Sequence, residues 1–182
     1  ILNLKKGIDI NTNFFGKKFS DKMKDDYESF DLITANNVFA HSPHLYDFSQ
    51  GVKNLLSDKG IFVFEVSYLP TVLKKKTFDT IYHEHMSYHS LKPLVNFFKI
   101  QNLQVFDFEL IEAQGGSLRV FVSHLNSYHV KKNKINKQIK REIDQGLFTK
   151  KKYKDFFKEI IETKIRLNKI IKNLKKNKFK II

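Results

Sequence analysis

Five of the seven histidines, His41, His44, His83, His85 and His89, fall between residues 41 and 89 of this 182-residue chain, and two groups of them stand among other polar side chains. The denser group is Thr80-Ile81-Tyr82-His83-Glu84-His85-Met86-Ser87-Tyr88. A core segment does not tolerate so many titratable groups, because each would need a buried partner. Three readings stand side by side. In the first, His85 is a general base, with Glu84 orienting or charging its imidazole and a tyrosine hydroxyl close by, a set of groups suited to proton abstraction. In the second, the His-x-His pair joins Glu84 and His41 around a metal, since imidazole and carboxylate suit zinc or iron. Against it, alternate residues of an extended segment point to opposite sides. The third is an exposed polar loop with incidental histidines, a reading that fits His44, His89, His124 and His129 most readily. The other group, Asn36-Asn37-Val38-Phe39-Ala40-His41-Ser42-Pro43, directly follows an apolar run. Open α/β sheets bind ligands at the C-terminal ends of their parallel strands, which puts Asn37 and His41 at a ligand-facing position.

The elements that must hold these groups are of alternating type. Residues 31–35 and 60–66 are short apolar runs with β-branched and aromatic character and read as buried strands. Between them Leu45, Phe48, Val52, Leu55 and Leu56 recur at helical spacing, and Ser57-Asp58-Lys59-Gly60 reads as the turn that closes the helix. A short helix is expected over Ser20 to Phe30, and another around Leu91, Leu94, Val95, Phe97 and Phe98, with Pro93 in its first turn. The pattern then becomes hairpin-like. Val105 to Ile111 alternates, Gly115-Gly116 supplies a turn and Leu118 to Val122 is a second strand, so an antiparallel edge on an otherwise parallel sheet is expected. After Lys131 two helices are expected to leave the sheet, one marked by Ile135, Ile139, Ile143 and Leu147, the other by Phe156 through Leu174. Lys178 to Ile182 resembles the start of a strand.

Charge divides the chain at the same place. Residues 1–124 hold 14 basic and 14 acidic side chains, whereas residues 125–182 hold 19 basic and 5 acidic, so the whole net charge of +14 lies in the last third. A solvated helical face explains this, because the lysines are interleaved with an apolar stripe. The competing reading is a non-enzymatic module that binds nucleic acid or another anionic partner through these helices. With no cysteine, disulfide stapling, thiolate zinc sites and a cysteine nucleophile drop out together, and an intracellular, cytoplasmic protein is expected. No apolar run approaches membrane-spanning length, nothing in this sequence resembles a signal peptide, and a membrane partner is not expected. The chain starts with Ile and not Met, so a piece of a longer polypeptide is expected.

Four segments, in this order and approximate spacing, carry a specific resemblance: Asn37-Val38-Phe39-Ala40-His41, Gly60-Ile61-Phe62-Val63-Phe64-Glu65-Val66, Phe78-Asp79-Thr80-Ile81-Tyr82-His83-Glu84-His85 and Gly115-Gly116-Ser117-Leu118-Arg119-Val120. They resemble the S-adenosylmethionine-dependent C-methyltransferases that act on nucleotide-linked keto-deoxysugars, over nearly the whole chain. The Tyr-His-Glu-His block is the strong signal. The resemblance implies three parts: a zinc-binding segment, a class I Rossmann-like methyltransferase domain and a C-terminal domain that helps hold the nucleotide sugar. Residues 1–124 then correspond to the second half of the methyltransferase domain, a partial class I sheet with an antiparallel C-terminal hairpin, and residues 125–182 to a basic helical lead-in to the last domain.

The departures are large. Gly7 and Gly16 stand alone where a glycine-rich cofactor loop belongs, and the zinc-ligand cysteines are absent, so zinc is implied only for a part outside this sequence. The resemblance therefore assigns the activity to a parent protein and implies an inactive isolated fragment. It implies S-adenosylmethionine as cofactor, a nucleotide-linked keto-sugar as partner and no resident metal here; nucleic acid is not expected. By motif, His85 is the base, while Tyr82, Glu84 and His41 shape the pocket. Asn37 and Val38 lie near the cofactor, and Gly116, Ser117 and Arg119 reach the nucleotide sugar. Methylating a carbon next to a ketone needs a base near the working pH and a donor for the developing enolate oxygen, which is why these groups suit the reaction.

Overall fold

Strand and helix alternate because the apolar period alternates. The computed structural model describes residues 10–180. Helix α1 (Lys17–Asp26) leads into strand β1 (Phe30–Asn36), followed by α2 (Leu45–Leu55), β2 (Leu56–Ser67), α3 (Leu69–Lys75), α4 (Leu91–Lys99), β3 (Leu103–Ile111), β4 (Ser117–His124), α5 (Asn133–Asp144) and α6 (Lys150–Lys176). The four strands form one sheet in the order β1-β2-β4-β3. β1 and β2 are parallel, while β4 runs antiparallel to both β2 and β3. This is the expected α/β sheet with an antiparallel hairpin. The hairpin closes the edge with its return strand turned inward, so the antiparallel strand lies one place in from the edge. Leu118, Val120 and Val122 are fully buried there, the pattern of a strand paired on both sides.

One face of the sheet carries the core. Phe62, Phe64 and Val66 of β2 and the three β4 residues pack against Val52 of α2 and Leu91, Leu94 and Phe98 of α4. Each such side chain contributes about 1.5–3 kcal/mol by leaving water.

Several boundaries differ from the sequence expectation, each for a local reason. α1 ends at Asp26, and Phe30, expected as its last apolar position, opens β1. Ser57 to Gly60, expected as a turn, are the first part of β2, and the pairing slips there from Phe30↔Leu56 to Leu32↔Ile61. Gly60 makes the slip possible: a Cβ at that position would lie 2.8 Å from the Phe30 carbonyl oxygen and from Leu56 Cδ1. α3 had no counterpart in the sequence reading. Of the two helices expected to leave the sheet, only α6 does, with no buried residue. α5 is held down, because the Lys132 N–H donates to the Phe106 carbonyl (2.9 Å), Lys132 and Lys134 both pair with Asp107, and Ile135 is fully buried. Lys178 to Lys180 form no strand; Ile181 and Ile182, the rest of that expected strand, lie outside the described residues, as do Lys5, Lys6, Gly7 and Asp9. Among the described residues, no helix is long and apolar enough to cross a membrane.

Candidate active site

At the end of β1 the backbone turns sharply at Asn37, whose φ of 53° is in the left-handed region, which Asn tolerates better than most residues. The turn is tied to β2 by the Asn37 N–H, which donates to the Glu65 carbonyl (3.2 Å). A 3₁₀ turn, Phe39–His41, follows. Phe39 is fully buried, and its ring lies within 6.4 Å of those of Phe48, Phe62, Phe64, Phe97, Phe98 and His89. Two residues later, on the same anchored turn, His41 emerges half-buried. Val38 is exposed, and the side chains of Asn36 and Asn37 make no hydrogen bond among the described residues.

Facing His41 is the segment between α3 and α4. The His41 and His85 ring centroids are 5.0 Å apart, and those of Tyr82 and His85 are 4.4 Å apart. His85 Nδ1 lies 2.7 Å from the Thr80 carbonyl oxygen. A carbonyl only accepts, so Nδ1 carries the proton and Nε2 of the neutral ring is left with its lone pair. That nitrogen is 3.3 Å from the Tyr82 hydroxyl. The Thr80 carbonyl also accepts from the Tyr88 hydroxyl (2.8 Å), whose pKa burial raises, so it stays a donor.

The structure thus brings His41, Tyr82 and His85 together and adds two groups that carried no separate signal, the Thr80 carbonyl and Tyr88. Backbone carbonyls are invisible to residue-type reasoning. Glu84 does not join them. Its carboxylate is 4.0 Å from His83 Nε2, and both side chains are more than half exposed, so the orienting role expected of Glu84 is filled by Thr80. Tyr82 to His85 form a turn, closed by the His85 N–H donating to the Tyr82 carbonyl (3.1 Å), and not the extended segment weighed from sequence; the His83 side chain is 89% exposed.

The start of β4 packs against α3. Gly116 has φ 126°, and a Cβ there would lie 2.5 Å from Thr71 Cγ2, so only glycine fits this approach. Its carbonyl accepts from the Tyr68 N–H (3.2 Å). Ser117 is buried and its hydroxyl donates to the Ala113 carbonyl (3.0 Å). Arg119 stands opposite Glu65 on β2 and Glu109 on β3 and bonds both, at 2.7 and 2.9 Å; those carboxylates, Glu65 first, hold its pKa above the usual value. Ser117 and Arg119 are therefore engaged within the protein. Thr71, against Gly116, also lines a cleft of about 410 Å³ with Tyr68, Gln138, Lys74, Arg141 and Lys152, three cations and no carboxylate.

His89, taken from sequence as an incidental surface histidine, is 7% exposed with its Nε2 2.8 Å from Ser87 Oγ. Burial pushes its pKa down to about 4. The unfolded chain takes up this proton near pH 6.5, so stability is full above that value and falls as pH drops toward 4, by about 3 kcal/mol in all. Urea midpoints between pH 7.5 and 4.5 should show the loss, and His89→Gln should flatten it; an unchanged acid dependence in that variant would assign it elsewhere. His124 and His129 lie at the other end of β2, within 3.0 and 3.2 Å of the Leu56 and Lys59 carbonyls.

Comparison with known proteins adds independent findings. Residues 112–182 match the family of C-methyltransferase C-terminal domains. The chain is 31% identical over 143 residues to the C-methyltransferase NovU of Streptomyces niveus, covering 79% of this chain and 34% of that protein, so it spans about a third of the length of that curated relative. Among solved structures, it is similar to a SAM-dependent methyltransferase of Anabaena variabilis (TM-score 0.44, 10% identity, 60% of this chain and 55% of the other). A magnesium protoporphyrin IX methyltransferase of Synechocystis with bound SAH gives a TM-score of 0.41 at 9% identity, over 53% and 45% of the two chains.

Proposed function

Because the chain belongs to the C-methyltransferase family, we propose that it is part of an S-adenosylmethionine-dependent enzyme that methylates the carbon next to the ketone of a nucleotide-linked deoxysugar. Residues 1–124 supply half of the methyltransferase domain and residues 125–182 lead toward the C-terminal domain. The observation that carries the reading is His85, fixed by Thr80 as the tautomer whose Nε2 can accept a proton, between Tyr82 and His41.

The residues at the end of β1 fit the cofactor in part. Exposed Val38 offers an apolar surface, and Asn36 and Asn37 offer unengaged amides beside it. These would line one side of S-adenosylmethionine, which supplies an electrophilic methyl group. His85 Nε2 takes the proton from the carbon next to the ketone. The Tyr82 hydroxyl, 3.3 Å from that nitrogen, donates to the oxygen on which charge develops. His41 closes the opposite side of the reacting carbon. Of the residues expected on the nucleotide sugar, Gly116 acts by letting Thr71, which lines the cationic cleft, pack against its α-carbon. Ser117 and Arg119 act through the turn and the sheet that present it. The cationic cleft beside Gly116 has the charge to hold the phosphates.

The test supplies the full-length protein with a nucleotide-linked keto-sugar and an isotope-labelled methyl donor. The expected product carries the label on carbon, and without donor the sugar's α-proton exchanges with deuterated solvent. Label on oxygen or nitrogen, without α-proton exchange, would overturn the reading.

A further inference from the structure

α4 begins without a cap of its own. Ser90 stands at its N-cap position, yet no side-chain hydrogen bond is made there, which leaves the first amides of the helix in need of acceptors. The acceptor comes from 50 residues downstream. Glu142 of α5 is fully buried; its Oε1 accepts from the Leu91 N–H (2.7 Å) and its Oε2 from the Lys92 N–H (3.0 Å). The same Oε1 accepts from the Tyr68 hydroxyl (2.9 Å), which also receives a bond from Gln138 Nε2 (2.7 Å). A carboxylate at a helix N-terminus with three donors is well compensated even when buried.

These contacts meet where the candidate loop ends. His89 and Ser90, the last residues before α4, form the C-terminal anchor of the segment that carries Tyr82 and His85. The Leu69 N–H donates to the His89 carbonyl (2.9 Å), and Tyr68 and His89 form a parallel bridge. Tyr68 also donates its N–H to Gly116. One carboxylate on α5 therefore holds the end of β2, the close of the His85 segment and the start of α4. Sequence periodicity conceals it: the expected stripe ran through Ile135, Ile139, Ile143 and Leu147, whereas the buried face of α5 is Ile135, Gln138 and Glu142, and Ile143 is exposed.

We propose that Glu142 is a positioning residue, through which the C-terminal segment sets the placement of His85. The turnover part of this inference rests on the reading of His85 as base, whereas the structural part does not. When α5 is seated, the His85 segment has a fixed C-terminal anchor; when α5 is displaced, two helix amides and a phenol lose their acceptor together and the anchor loosens.

Hydrogen exchange in the full-length protein tests the anchor directly. First-turn helix amides ordinarily exchange fast, but those of Leu91 and Lys92 should be protected, and free exchange at both would overturn the proposal. Glu142→Gln preserves volume but turns an amide N–H₂ toward the same donors. It should speed exchange at Leu91 and Lys92 by roughly 10–100-fold, with the increase reaching residues 80–90. Tyr68→Phe, which leaves both helix amides capped, should give a smaller response and serves if Glu142→Gln does not fold. Turnover in Glu142→Gln should fall roughly 10–100-fold with little change in KM, Glu142→Asp should restore part of it, and adding Glu142→Gln to His85→Asn should lower the residual rate no further. Additive losses, or unchanged exchange over residues 80–90, would make Glu142 a structural cap alone and end the proposal. A wild-type rate for His85→Asn would remove the base reading and leave the exchange results to decide the anchor.

Discussion

With His85 as the proposed base, His85→Asn is expected to keep the fold and lower the methylation rate of the full-length protein by roughly 10²–10⁴-fold, the usual worth of a positioned acid–base group. The fold survives because His85 lies at the rim of the sheet, half-buried, and its contacts are with Tyr82, Tyr88, His41 and one carbonyl, none of which belongs to the buried core. The asparagine amide can still donate to the Thr80 carbonyl, so the loop keeps its bond while the Nε2 lone pair disappears. Exchange of the substrate's α-proton with deuterated solvent should slow in parallel. Tyr82→Phe separates the remaining roles: a loss comparable to that of His85→Asn assigns the hydroxyl to the developing oxygen, and a mild one assigns it to holding the ring. Wild-type turnover in His85→Asn would remove the base reading. Loss of a bound metal in that variant would revive the ligand reading of the same histidines.

Phe39→Ala is expected to cost about 3–5 kcal/mol of stability, the range for emptying a large aromatic site in a packed core. Phe39 is fully buried and touches rings from α2, β2 and α4 as well as His89, the closest being Phe64 at 4.5 Å. No single neighbour can collapse into a space bounded by three elements, so the cavity persists. The same residue carries the 3₁₀ turn that ends at His41, and activity should fall by more than the loss of folded protein explains. A urea titration beside turnover per folded molecule separates the two. A destabilisation below about 1 kcal/mol would show that the site repacks, and His41 would then need another anchor.

The strands around Leu32, Phe64, Phe108 and Val120 and the helices over Leu45–Leu55 and Leu91–Lys99 were legible because local period and turn chemistry decide them. So was the strength of the Tyr82 to His85 block, since a run of titratable side chains is incompatible with a core wherever it lies. What was not legible depends on groups far apart in the chain. Helix α3 and the slip at Gly60 answer to packing against Gly116 and Phe30, and no local period announces either. Glu84 was the natural partner for His85 by adjacency, yet a backbone carbonyl five residues away holds the ring; only the turn of the chain decides which acceptor arrives. Arg119 is the type of residue that reaches for phosphate, but the strand register sets it between Glu65 and Glu109, and its charge is spent there. His89 and Glu142 show the same limit from the other side. Nothing in their neighbourhoods marks them as buried, because burial of a polar group is decided by whether a distant partner meets it, and that meeting exists only once β2, α4 and α5 have come together.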